Sequence, residues 1–117
     1  FSSFQKHNNV DKARIAVEKV ELQKAQLNDV LTLQYENALS NFNTSYKTYI
    51  NSQKSSALSK KIKDKTEIKY QEGLATSLEL TQIDSQYLQE KSKYISAILN
   101  LLKAKAELDE FENANQE

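Results

Sequence analysis

A chain of 117 residues with one Gly, no Pro, Cys, Met or Trp, and 16 Lys+Arg against 16 Asp+Glu is one domain at most. It excludes disulfides, zinc ribbons, thiol redox chemistry and cysteine nucleophiles. The lone Gly excludes phosphate-cradling loops and β-hairpin arrays, which need several residues at positive φ, and the balanced charge argues against a general nucleic-acid binder.

The composition points to helices. Ala, Glu, Lys, Leu and Arg make up 51 of the 117 residues, close to the share typical of long helices and coiled coils. The mean hydropathy of −0.71 suits helices that each bury a narrow stripe. No apolar run approaches the ~18–20 residues needed to span a bilayer.

Residues 1–8 read as a lead-in. A helical pattern then runs without a breaker from about Asn9 to Tyr70, giving a long helix over 9–72. Its first stripe is Val10, Ala13, Val17, Val20, Leu27 and Leu31. The stripe then drifts through Tyr35, Ala38, Leu39, Phe42, Tyr46, Tyr49 and Ile50. A drifting stripe predicts a helix with more than one neighbour, as in a helical barrel. Apolar content falls after residue 50: positions 51–69 carry six Lys against Asp64 and Glu67.

The strongest break is Gly73, which fits the position after a helix end where left-handed geometry costs Gly nothing. Thr76 and Glu79 have capping-box spacing, so residues 73–76 read as a tip turn. A shorter return helix follows over 77–112. It has a clear seven-residue repeat: Leu80, Tyr87, Tyr94, Leu101 and Leu108 at one position, and Ile83, Glu90, Ala97, Ala104 and Phe111 at the other. Residues 113–117 are an acidic tail expected to fray.

The fold class is therefore all-α: a long antiparallel helical hairpin, with arms of about 90 Å and about 55 Å at ~1.5 Å per residue. Folded about Gly73, Leu108 comes level with about Ala38. Residues from about Val10 to Val30 then overhang, and their apolar positions need cover from more polypeptide or another subunit. This predicts a segment of a larger protein.

Around the turn the sequence reads Y-Q-E-G-L-A-T-S-L-E-L over residues 70–80. This resembles the Y-x-x-G-x-x-S-x-x-[DE]-[LV] signature of TolC-like outer membrane efflux proteins, where it marks the periplasmic tip of the second helical hairpin of each protomer. The order and lengths of the elements are similar across essentially the whole chain, and Phe1-Ser2-Ser3-Phe4, an aromatic followed by small residues, looks like the end of the strand that precedes this hairpin in the family. Ser-Ser stands where the family often has Gly-Gly.

The resemblance implies a homotrimer whose protomers contribute to an outer-membrane β-barrel, absent from this chain, and to a twelve-helix periplasmic α-barrel. It also implies a periplasmic adaptor protein docked on the tips and an inner-membrane pump acting through it, as in tripartite efflux and type I secretion. The segment would lie in the periplasm of a Gram-negative cell. By the same resemblance, Tyr70, Gly73, Leu74 and Ser77 form the adaptor-contact tip, and Glu79 with Gln82 lies at the constriction that gates the tunnel.

Each residue also has a plainer role. Gly73 and Leu74 suit a helix C-cap with a hydrophobic residue tucked over it, and Thr76 and Glu79 suit a reciprocal helix cap. Lys60, Lys61, Lys63, Lys65 and Lys69 read as a solvated face, with electrostatic docking of an adaptor hairpin, or interprotomer pairing near the gate, as the sharper alternative. The Tyr and Phe residues read as interhelical packing. His7 stands alone, so no metal site is expected. No catalytic constellation, cofactor site or nucleic-acid partner is expected. Two other readings have the same composition: a structural coiled-coil spacer or tether with no transport role, and a periplasmic adaptor hairpin.

Overall fold

The structure, a computed structural model, describes residues 2–114 and Gln116. Two helices follow one another, α1 over Ser2–Gln71 and α2 over Ser77–Ala114. No Pro or internal Gly interrupts either of them. The strand-end lead-in expected over residues 1–8 is helix from Ser2 onward, and Phe1 lies outside the described residues. A strand end needs a neighbouring strand to take its backbone groups, whereas a helix satisfies them within the segment. The return helix reaches Ala114 rather than 112. Of the tail expected to fray, Asn115 and Glu117 lie outside the described residues.

The chain divides into two compact units, Phe1–Asn37 and Ala38–Glu117. In the first, all described residues except Asp11 and Tyr35 are exposed. Its apolar residues Val10, Val17, Val20, Leu27 and Leu31 face solvent, Val20 at 62% exposure. His7 Nε2 lies 3.8 Å from the half-exposed Asp11 carboxylate one turn on.

The second unit is an antiparallel helical hairpin. Tyr49 of α1 stacks on Tyr94 of α2 at 5.8 Å between ring centroids, and Lys63 faces Asp84. These two contacts set the register. Along α2 the less exposed positions include Leu80, Ile83, Tyr87, Glu90 and Tyr94, continuing through Ala97, Leu101, Ala104, Leu108 and Phe111. That is a seven-residue seam, the pattern that lets two helices stay in contact along their length. Ala97, Ala104 and Leu108 are buried, Ala97 at 3%.

The facing seam of α1 is equally regular but differs from the expected one. It runs Ala38, Phe42, Ser45, Tyr49, Ser52, then Ser56, Ser59, Lys63 and Thr66. The drift expected through Leu39, Tyr46 and Ile50 is a superposition of two stripes: Leu39 and Tyr46 lie off the seam and are exposed. Serines carry the seam where the apolar stripe fades, so hydropathy does not reveal it. Large and small side chains alternate across the interface. By the register, Phe42 and Tyr49 come level with Ala104 and Ala97. Ser45, Ser52 and Ser59 come level with Leu101, Tyr94 and Tyr87. Such alternation lets two narrow helices interlock without voids. Ser59 is itself buried.

A ladder of rings crosses the middle of the hairpin: Phe42 on Tyr46 at 6.4 Å, Tyr46 beside Tyr49 at 6.4 Å, and Tyr49 on Tyr94. Hydrogen bonding with Tyr49 and, after it, removal from water push the Tyr94 phenol above its usual value.

Candidate functional site

The tip is built from two opposed helix ends. Gly73 has φ of +76°, open to Gly at no steric cost. The Gly73 N–H donates to the Tyr70 carbonyl at 3.1 Å and the Leu74 N–H to the Lys69 carbonyl at 2.7 Å. This pair of bonds is a Schellman motif, and it satisfies two carbonyls that the end of α1 would leave without partners. Three residues later α2 starts. The Thr76 N–H donates to Glu79 Oε2 at 3.1 Å, the Glu79 N–H donates to Thr76 Oγ1 at 3.1 Å, and the Thr76 carbonyl accepts from the Leu80 N–H. Both donors are satisfied reciprocally, and the carboxylate sits at the positive end of the α2 dipole.

With both ends capped, the turn is held by backbone geometry and leaves its side chains to solvent. Leu74 is 74% exposed, and Tyr70 and Leu78 are also exposed. Ser77, the first residue of α2, is exposed and accepts from Thr81 Oγ1 through its carbonyl at 2.8 Å. The fold brings Leu74, Glu79 and Gln82 to one shallow groove, completed by Thr66, Lys69, Ala75 and Ile83. Tyr70 and Ser77 are not part of that groove's lining. It has an apolar lip at Leu74 and opposite charges at Lys69 and Glu79. Gln82 also borders a second, polar groove with Thr81, Ser85 and Gln86.

One cluster lies deeper and was not foreseen. Lys63, placed on a solvated face by its neighbours in sequence, occupies a seam position with its side chain 29% exposed. Its ammonium lies 3.9 Å from Asp84 across the hairpin, 3.9 Å from Glu67 on its own helix, and 5.1 Å from the centre of the Tyr87 ring. Asp84 Oδ1 is buried without a hydrogen bond, so the ammonium supplies its compensating charge. The signal was present in the spacing: Lys63 falls fourteen residues after Tyr49 on the same heptad position. Its pairing with Glu67 is the i,i+4 arrangement, worth a few tenths of a kcal/mol when exposed.

Among the described residues no helix is long and apolar enough to cross a membrane, and no group of three or more His, Cys, Asp or Glu side chains could hold a metal ion. No family model, no curated protein and no solved structure matches the chain.

Proposed function

We propose that the chain is a periplasmic wall segment of a TolC-like outer membrane export channel, with a periplasmic adaptor docked on its tip. The observation that carries the reading is the 70–80 turn. Its Y-Q-E-G-L-A-T-S-L-E-L sequence encodes a doubly capped turn that needs no side chain beyond Thr76 and Glu79, and yet it presents Leu74 bare to solvent. An exposed leucine on a rigid, self-sufficient turn suits a partner that covers it.

In this reading three protomers build the tunnel, conduction is passive, and an inner-membrane pump acts through the adaptor. Glu79 and Gln82 line the constriction, where a ring of carboxylates favours cations. Opening shifts hairpins against one another and exchanges polar contacts near the tip. A wall segment needs neighbours on both sides. The second apolar stripe of α2, Leu88, Ile95, Leu99 and Leu102, is exposed and supports this.

A structural spacer or tether is the second reading. The observation favouring it is the unbroken seam from Ala38 to Thr66, which suits a simple two-helix pair.

Photo-crosslinking from position 74 of the full-length protein in its native cells separates the two, with products identified by mass spectrometry. The channel reading expects a crosslink to a periplasmic adaptor. Crosslinks confined to itself, or to a cell-wall or cytoskeletal component, would replace it with the tether.

A further inference from the structure

The hairpin of the second unit has two broad sides flanking its seam, and their chemistry differs. On the first side Ile62 of α1 meets Gln86 of α2 at a small gap beside the seam, and Thr66 and Lys69 share the tip groove with Glu79 and Gln82. Steps of seven residues keep a position on the same side of a seam. Going away from the tip, they lead from Ile62 to Ser55, Thr48 and Asn41 on α1. On α2 they lead from Gln86 to Lys93 and Asn100, and from Gln82 to Gln89, Ser96 and, last, Lys103. Beyond Ile62 these rows are amides and hydroxyls with two lysines, and no acid stands on them between Glu79 and Glu107. The Lys93 ammonium lies 3.6 Å from the Glu90 carboxylate. The second side is marked by Glu67 and Asp84, which both approach Lys63. The same steps lead there to Lys60, Gln53, Tyr46 and Leu39 on α1, and to Lys91, Ile98 and Lys105 on α2.

We propose that the first side lines the water-filled passage of the channel and that the second is the side covered by protein. The inference rests on the channel reading. Amides and hydroxyls offer little apolar area. A chain packed on them gains little hydrophobic stabilisation and must supply a partner for every polar group it removes from water. Water satisfies these groups directly. Leu39 and Tyr46 on the second side, and Ile95 beside it, offer apolar area that a covering chain would bury. Gln82 joins the lining to the constriction. It shares the tip groove with Glu79 and borders the polar groove with Gln86 and Gln89, so the gate and the lining form one continuous surface. Three parallel protomers present this side alike, and the lining repeats around the passage. Its side chains both donate and accept hydrogen bonds. A passing solute meets many weak contacts and no acid between Glu79 and Glu107, which lets it enter and leave.

The test is single-channel current through the full-length protein in planar lipid bilayers, before and after a negatively charged methanethiosulfonate reagent. Single cysteines replace Thr48 and Gln89 on the first side, and Gln53 and Lys105 on the second. All four positions are exposed and lie off the seam, so each unmodified variant is expected to conduct like wild type, which serves as the reagent blank. Thr48→Cys and Gln89→Cys are expected to lose current on modification and to recover it on reduction. Gln53→Cys and Lys105→Cys are expected to keep theirs. Loss confined to Gln53→Cys and Lys105→Cys, loss in all four, or loss in none overturns the assignment of sides and leaves the channel reading standing. A full-length protein that carries no current overturns the channel reading, and this inference with it.

Discussion

Two stretches of the same helix have opposite fates. Residues 10–31 of α1 are its most apolar part and lie bare, whereas residues 38–66 carry Ser45, Ser52, Ser56 and Ser59 on the seam against α2. Hydropathy alone ranks the two stretches the wrong way round. A side chain is buried when a partner of complementary shape lies opposite, and within the second unit α2 supplies one. Small polar residues make good seam positions because they let large ones opposite, such as Tyr94 and Leu101, fill the space. A hydroxyl facing the seam can still bond its own helix, as Thr66 Oγ1 does by donating to the Ile62 carbonyl at 2.7 Å.

The sharpest way to break this contrast is to charge both stretches. Ala97→Asp places a carboxylate at a position 3% exposed and should destabilise the hairpin by about 3 kcal/mol or more, read by chemical denaturation. Val20→Asp, at a site 62% exposed, should stay within about 0.5 kcal/mol for the dilute chain. Equal effects would mean that the two stretches are packed alike.

Truncating the seam is expected to come next. Leu108→Ala removes a buried side chain and should cost about 2 kcal/mol, the low end for a leucine because the hairpin is thin and can collapse around the gap. Val17→Ala should have no such effect at low concentration. Amide exchange follows the same division. Protection should be high along 80–108 and low along 10–31, where a lone helix is marginal in water.

The tip gives smaller effects. Nothing lies within 4 Å of a Cβ placed on Gly73, so Gly73→Ala costs only its positive φ, about 1 kcal/mol. Thr76→Ala removes half of the reciprocal cap and should cost about 1 kcal/mol. Both variants keep Leu74 exposed, so loss of adaptor crosslinking from position 78, also exposed, in Leu74→Ser but not in Thr76→Ala would separate docking from turn stability.

The smallest effect is electrostatic. The Tyr94 phenol is raised above 10.0 by Tyr49 and by burial. A raised folded value favours the neutral form, so this contribution is fully present below about pH 10 and is lost as pH climbs through the folded value. Thermal melting of the hairpin should fall more steeply above pH 10 in wild type than in Tyr49→Phe, and equal slopes would remove Tyr49 as the cause.

Composition and spacing are enough to make the chain helical with a single turn. No Pro and a single Gly leave one place for a break, and the seven-residue repeat from Leu80 to Phe111 marks the face that α2 buries. The tip was legible for a local reason: the Gly73 and Thr76-to-Glu79 contacts span only a few residues, so spacing specifies them. The remaining assignments depended on the facing helix. Ser45, Ser52 and Ser59 become seam residues because large side chains of α2 stand level with them. Lys63 leaves the lysine-rich surface because Asp84 and Tyr87 wait across the hairpin. In each case the deciding interaction lies far along the chain, and no window of sequence around the residue contains it.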